Sequence, residues 1–385
     1  MVATSTPSTT STTSRTFTTL ASTLSAAALT AAVALAQQPR LTNAQVTTQP
    51  APALQQAFNA AVNNQADVGW VGYAVPVVDG ERVMCCFNSG NSFVNGTGGN
   101  QTCCGMCTLD PSPDGTTMST RPQPGQTPGA VKLEGADTMV VLFRVVSRQV
   151  ERVRVFSEDC QLDAGGRAIT WLTGVKPPES VALLESLVAT RPSTERRDRI
   201  VDGSISAIAL HEDASATAAL ERLLAPSQPQ QVRAKVPFWL GNTRGRRGLE
   251  ILQRVIKDDP SVEVKKKAVF GISQSREPQA VDVLIDNART NADTSVRSES
   301  IFWLAQKAGN KAAAAITERI EQDPDTEVKK KAVFALSQLP KDEGVPLLLQ
   351  VARTHSNPAV RKQAIFWLGQ SKDPRALAFF AEVLK

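Results

Sequence analysis

Six cysteines are the residues of this chain best suited to chemistry: Cys85, Cys86, Cys103, Cys104, Cys107 and Cys160. An even number of cysteines in an exported chain predicts disulfide bonds, whose pairing the sequence leaves open. Adjacent cysteines rarely bond to each other, so Cys85 and Cys86 are expected to face the group from Cys103 to Cys107. The alternative is a thiolate metal or iron–sulfur site on Cys104-x-x-Cys107 with Cys85 and Cys86. An oxidising compartment favours disulfides, and a reducing one favours the metal.

The first 36 residues bear on that choice. They hold one positive charge, Arg15, in a Ser/Thr-rich start, and then a mildly apolar stretch from Leu20 to Ala36. This pattern predicts a signal peptide cleaved before Gln37 and a periplasmic or secreted protein. The alternative is a disordered Ser/Thr-rich tail or an unusual translational start. No later stretch is apolar enough to cross a bilayer, so we expect export and disulfide bonds.

Catalytic groups are scarce. The only histidines are His211 and His355. The sequence contains no Gly-x-Ser-x-Gly elbow, no Ser-x-x-Lys serine context and no glycine-rich phosphate loop before a helix. We therefore predict a protein that is not an enzyme and carries no cofactor.

A repeat of 32 residues organises the second half of the chain. Val-Lys-Lys-Lys at 264–267 returns at 328–331, which is two steps of 32. Each unit holds two apolar stripes, and the first follows a helix-capping residue: Ser261, Asp293, Asp325 or Asn357. An out-of-step copy begins near Ala164 and carries Trp171 where later copies carry core tryptophans (Trp239, Trp303 and Trp367). The pattern predicts an all-α superhelical solenoid over residues 164–385, with about seven two-helix repeats.

The front of each unit resembles the HEAT-repeat family, in particular its short phycobilin-lyase type. The resemblance rests on Asp/Asn-x-x-Val-Arg/Lys before an apolar run, as in Asp293-x-x-Val296-Arg297. It covers about residues 164–385 and implies that the second helices line a concave face. HEAT-like deoxyhypusine hydroxylases bind iron through several His-Glu pairs. This chain has only His211-Glu212, so the resemblance does not extend to that enzyme.

A polar column along the predicted second helices is the candidate binding groove. Its apolar neighbours face the stacked core, so the polar residues share the outer face. The candidate residues are Arg222, Arg254, Lys257, Asp286, Arg289, Glu318, Glu321, Gln350 and Arg353. Their mixed charge suits a protein partner, and we predict an exported, non-catalytic scaffold for one.

Two alternatives remain open. The first is an accessory to an enzyme, in which the solenoid handles a prosthetic group, as the lyase resemblance suggests. The second is a nucleic-acid-binding solenoid like the HEAT-like alkylpurine DNA glycosylases, using the basic residues of the first helices. Those basic residues include Lys265–Lys267 and Lys329–Lys331. This second alternative requires that the leader is not a signal peptide.

Residues 37–163 predict a small, disulfide-stapled β domain that packs against the first repeat. Strands are expected at Val68–Val78 and Arg82–Phe87, and a hairpin over Met139–Phe156 that turns at Ser147-Arg148-Gln149. The intervening segment, Asn88–Ala130, is rich in Gly, Pro, Ser, Thr and Asn and predicts a long loop.

Overall fold

A computed structural model describes residues 40–65, 67–79, 102–103, 107–110, 131–132, 137–158, 160–190, 198–307 and 309–383. The predicted signal peptide, the strand expected at 82–87 and most of the predicted loop at 88–130 lie outside these residues. Within them, no helix is long and apolar enough to span a membrane.

The largest sheet has five strands in the order β2 (Gln45–Pro50), β10 (Ala168–Thr173), β3 (Gly69–Pro76), β7 (Thr138–Val146) and β8 (Gln149–Ser157). Strand β10 runs parallel to β2 and β3, whereas β3, β7 and β8 are antiparallel neighbours. The structure confirms the strand predicted at Val68–Val78, which is β3, and the hairpin predicted over Met139–Phe156, which is β7–β8. Ser147 and Arg148 both have positive φ at the hairpin turn, the conformation that matches the twist of tight hairpins.

A short parallel sheet covers one face of the large one. It contains β1 (Arg40–Thr42), β9 (Gln161–Asp163) and β5 (Cys107–Thr108), and two further short strands, β4 (Thr102–Cys103) and β6 (Val131–Lys132), pair with each other. The core between the layers contains Trp70 and Trp171, both fully buried. Gly72 makes room for this packing, because a Cβ there would lie 2.3 Å from a Leu142 methyl carbon and 3.2 Å from the Trp171 ring.

The helices follow one another in chain order. They are α1 (Leu54–Asn64), α2 (Pro177–Ala189), α3 (Arg199–Leu210), α4 (Ala214–Leu223), α5 (Gln230–Arg233), α6 (Val236–Thr243), α7 (Gly245–Asp258), α8 (Val262–Gln274), α9 (Ala280–Thr290), α10 (Thr294–Lys307), α11 (Gly309–Gln322), α12 (Thr326–Ser337), α13 (Lys341–Thr354), α14 (Pro358–Ser371) and α15 (Pro374–Val383). Taking α5 and α6 together as one first helix, the described residues from α3 onward form six first-helix and second-helix pairs.

The prediction that a helical repeat begins near Ala164 is wrong. Trp171 lies in β10, where it pairs with Thr48 of β2 and Gly72 of β3. The helical array therefore begins at α2 and has six pairs in the described part of the chain, where about seven were expected. The physical reason is that the apolar run 168–173 is buried between sheet layers, and a short apolar run fits a buried strand as well as a helix.

The sheet and the helical array share one core. Val71, Tyr73 and Val141 of the sheet belong to the same buried cluster as Ile200 and Ile205 of α3. The backbones of α3 and β8 come so close that a Cβ on Gly203 would lie 2.2 Å from the Val153 carbonyl oxygen. The N-terminal sheet thus packs on the first helix pair, as predicted.

The local signals of the repeat are confirmed. Ser261, Asp325 and Asn357 cap α8, α12 and α14 with their side-chain oxygens. The Asp293 carboxylate accepts from the Ser295 N–H in the same way at α10. These bonds satisfy free N–H groups of the first turn.

Candidate functional site

The predicted polar column lies on the outer surface of the second helices, together with α2; we call this the second-helix face. Its arginines reach across to acidic residues of the neighbouring second helix. Arg222 binds both carboxylate oxygens of Glu185 at 2.7 Å. Arg254 contacts Glu221 at 2.5 Å, so successive helices are joined by charge.

The same arrangement recurs further along the array. Arg289 donates to Glu318 at 2.9 Å and 2.5 Å, and Arg353 binds the two oxygens of Glu382 at 2.7 Å and 2.6 Å. Hydrogen bonds from Arg289 lower the pKa of Glu318, and those from Arg353 lower the pKa of Glu382. These carboxylates are therefore ionised and occupied at neutral pH.

This ladder of ion pairs has two gaps within the described residues. Among the residues that the structure describes, no salt bridge joins α7 to α9, and none joins α11 to α13. The predicted groove residues at the gaps have exposed side chains without a hydrogen-bond or ion-pair partner in the described part of the chain: Lys257, Asp286, Glu321 and Gln350. The structure thus divides the nine predicted residues into five that pair and four that are open to a ligand.

Two arginines of the first helices, Arg233 and Arg297, are buried inside the array, whereas the lysines of these helices lie at the surface. Arg233 forms a buried, bidentate pair with Asp259, and Arg297 forms the same pair with Asp323 at 2.8 Å and 3.1 Å. Arg297 also donates to the Asn291 carbonyl oxygen at 2.9 Å. These arginines link one repeat to the next.

Neither histidine is available for chemistry. His211 is fully buried; its Nδ1 donates to the Ala207 carbonyl oxygen at 2.7 Å, so its Nε2 accepts from the Ser180 hydroxyl at 2.9 Å. His355 is also buried: its Nε2 donates to the Ile320 carbonyl oxygen, and its Nδ1 accepts from the Asn357 N–H. Both side chains hold the ends of helices in place.

The cysteines are described only in part. Cys160 is fully buried and disulfide-bonded. Cys103 and Cys107 lie in β4 and β5, while Cys85, Cys86 and Cys104 lie outside the described residues. Among the residues that are described, no cluster of His, Cys, Asp or Glu could hold a metal ion. The disulfide-rich character of the domain and the metal alternative both stay predictions.

A row of aromatic rings on the first helices was missed by sequence reasoning. Phenylalanine recurs every 32 residues, and a tryptophan follows it in alternate repeats; the row is Phe238, Trp239, Phe270, Phe302, Trp303, Phe334, Phe366 and Trp367. Ring centroids are 5.8 Å apart for Phe238–Phe270, 4.7 Å for Phe270–Trp303 and 4.8 Å for Phe334–Trp367. We call these residues the aromatic row. Its exact 32-residue spacing was the available signal.

The three tryptophans of this row were expected in the core, and that expectation is wrong. They are half-buried and pack against the outside of the core. A shallow pocket of about 190 Å³ opens beside Trp303 and is lined by Glu263, Lys266, Lys267, Phe270, Glu299 and Trp303. The Trp303 Nε1–H donates to Glu299 at 2.8 Å.

The sequence matches the family model "HEAT repeats" over residues 216–305 and 313–385. This part of the helical array consists of HEAT repeats. This agrees with the capping residues, the 32-residue columns and the buried Arg–Asp links described above. A search of curated protein sequences gave no match.

Several solved structures contain parts similar to this chain. Human deoxyhypusine hydroxylase in complex with glycerol is 14% identical, with 52% of this chain and 88% of that chain covered and a TM-score of 0.29. The complex of CpcE and CpcF of phycocyanin lyase from Nostoc sp. PCC7120 is 23% identical, with coverage of 39% and 98% and a TM-score of 0.31. AlkD2 from Streptococcus mutans is 14% identical, with coverage of 50% and 97% and a TM-score of 0.38. At these values, none of the three indicates what this chain binds.

Proposed function

We propose that this protein is an exported, non-catalytic HEAT-repeat scaffold that binds a protein partner along the second-helix face. The observation that carries the proposal is the pair of gaps in the ion-pair ladder. There, Lys257 and Asp286 on one side and Glu321 and Gln350 on the other are exposed and unpaired within the described residues.

The chemistry of these gaps favours a polar protein segment over a polyanion. Each gap contains an acidic residue, Asp286 or Glu321, which would repel phosphate groups. A complementary segment needs an acid opposite Lys257 and a base opposite Glu321, which a folded or extended protein surface supplies. Apolar neighbours of the open residues, such as Ile256 and Leu348, are buried in the core, so the open residues lie on packed helices.

Site-specific photo-crosslinking in the producing cell tests the binding face. A benzophenone amino acid in place of Gln350 is expected to give one discrete protein adduct. The same group at Gln279, which is exposed in the connection before α9, is the matched control and should give none. The double variant Lys257→Glu/Glu321→Lys keeps the net charge and should abolish the adduct while the circular dichroism spectrum is unchanged. No adduct at Gln350, or an adduct that survives the double variant, rejects this face.

The intact mass of the natively produced protein tests export. Loss of residues 1–36 together with six thiols that resist alkylation until reductant is added supports an exported, disulfide-bonded chain. An uncleaved chain with free or metal-bound thiols would overturn the proposal. It would favour the cysteine metal site instead.

A further inference from the structure

The first helices carry a second surface that the proposed function does not use. We call it the first-helix face, and three rows of side chains run along it with the 32-residue period. The aromatic and carboxamide rows take a residue from each of the five first helices after α3, whereas lysines occupy their row in three of them. The aromatic row is the middle one. Its rings are half-buried, except Phe366, which is 53% exposed.

Lysines form the row one helical turn before the phenylalanines. Lys266, Lys330 and Lys362 lie four residues before Phe270, Phe334 and Phe366, and Lys331 lies three before Phe334. Offsets of three and four place side chains on one helix face. Lys266 and Lys330 pair with Glu263 and Glu327. Lys331 and Lys362 are exposed and have no partner among the described residues.

Carboxamides form the row one turn after the phenylalanines: Asn242, Gln274, Gln306, Gln338 and Gln370. The Asn242 amide donates to the Phe238 carbonyl oxygen at 2.8 Å. Gln306 and Gln370 are exposed, and neither makes a side-chain hydrogen bond within the part of the chain that is described. A carboxamide has the donor and acceptor of a peptide group, so this row can hydrogen-bond an extended main chain.

The spacing of the rows fits an extended polypeptide. Packed helices lie about 8–10 Å apart. An extended chain in the polyproline II conformation has three residues per turn and rises about 3.1 Å per residue, so every third side chain lies on one side. One repeat therefore spans about three residues of such a chain, and five repeats span about 15 residues. Every third side chain would reach the aromatic row, where the pocket beside Phe270 and Trp303 can receive an apolar group.

The charged side chains of this surface indicate the chemical class of its partner. The exposed lysines, Lys331 and Lys362, can bind carboxylates. Glu263, Glu299 and Glu327 also lie on the first helices and would repel the closely spaced phosphates of a nucleic acid. We propose that the first-helix face binds an extended acidic polypeptide segment with an apolar residue at every third position. The carboxylates of the segment pair with the lysine row, and its apolar side chains pack on the aromatic row. Its main chain forms hydrogen bonds with the carboxamide row.

Fluorescence anisotropy with the full-length protein and defined probes tests this proposal. The probe is a labelled peptide of about 15 residues in which leucine-glutamate-serine repeats. It is expected to bind, while a scrambled peptide of the same composition and a leucine-lysine-serine peptide bind at least about tenfold more weakly. Equal binding of the scrambled or lysine peptide overturns the proposal, as does no binding of the acidic probe. Preference for an oligothymidylate of equal charge would assign the surface to nucleic acid instead.

Matched variants separate this surface from general electrostatics. Lys331→Glu/Lys362→Glu is expected to weaken the acidic probe about tenfold or more. Lys311→Glu/Lys341→Glu makes the same charge change at two exposed lysines of the second helices that belong to neither proposed binding site, and should leave the affinity within about twofold. Because Phe366 is exposed, Phe366→Ala should fold and still weaken binding. If both double variants weaken the probe equally, binding is nonspecific and the proposal fails.

Discussion

The Nε2 atom of His211 lies 2.9 Å from the Ser180 Oγ, and the Tyr73 hydroxyl lies 2.7 Å from the same oxygen. The three residues come from the end of α3, from α2 and from β3, and all are fully buried. Because His211 Nδ1 donates to the Ala207 carbonyl oxygen, Nε2 can only accept here. A proton on Nε2 would make the Ser180 oxygen the acceptor, reverse the bond between Ser180 and Tyr73, and place a positive charge in this buried junction between the sheet and the array.

Acid should therefore destabilise the protein through His211. Burial, with a smaller contribution from Arg244, lowers the pKa of His211 from 6.5 to about 4. Between these two values the unfolded chain binds more protons than the folded one, so stability is fully present above pH 6.5 and falls as the pH drops toward 4. The loss from this residue is about 3 kcal/mol. Urea unfolding followed by circular dichroism from pH 7.5 to 4 measures it.

The variant His211→Gln isolates this contribution. It should be less stable than the wild type at pH 7, since the fit of the imidazole between Ser180 and Ala207 is lost. The difference in unfolding free energy between the two proteins should then shrink as the pH falls from 6.5 to 4. A difference that stays constant over this range would show that His211 does not titrate as the structure implies.

Removing one partner of the buried link between Arg297 and Asp323 should destabilise the protein far more than removing one partner of a pair on the second-helix face. The Asp323 side chain is fully buried, and it also accepts from the Asp325 N–H at 2.9 Å. The substitution Asp323→Ala leaves a buried arginine without its counter-ion and should destabilise the protein by about 3–5 kcal/mol. Thermal and urea unfolding measure the change.

The exposed pair of Arg353 and Glu382 provides the comparison. Both side chains are largely exposed, so Glu382→Ala should produce no resolvable change in stability. An equal effect of Asp323→Ala and Glu382→Ala would contradict the distinction between a pair that joins repeats and a pair that only lies on the surface.

The sequence predicted the array because its signals are local. Ser261 and Asp325 cap their helices within three residues, and the apolar column of the second helices follows from spacing alone. The strand at 168–173 was not predicted, because its partners, β2 and β3, lie about a hundred residues earlier in the chain. Its apolar run also fits a helix. Pairing between distant strands leaves no short-range mark in one sequence.

The surfaces were harder to predict than the core. Arg222 and Arg289 were recognised as outward-facing, but their partners, Glu185 and Glu318, depend on how neighbouring helices stack. Phe270 and Trp303 have residue types typical of a core. Only the structure shows that the first helices leave these rings half-exposed, so residue type alone gave the wrong location.

One column of the first helices allows a sharp test of the stacking. Gly241 and Gly369 lie at equivalent positions, four repeats apart. A Cβ on Gly241 would lie 1.9 Å from the Gly271 carbonyl oxygen of the neighbouring helix, whereas a Cβ on Gly369 would lie 3.8 Å from the Phe380 ring. Gly241→Ala should therefore force α6 and α8 apart and destabilise the protein by about 1–3 kcal/mol.

The substitution Gly369→Ala should act in the opposite direction. Nothing obstructs the added methyl group, and alanine is favoured over glycine within a helix by up to about 1 kcal/mol. Urea unfolding of the two variants should give changes of opposite sign. If Gly241→Ala is also stabilising, the first helices do not approach as closely as the structure places them, and the spacing on which the peptide register depends would have to be revised.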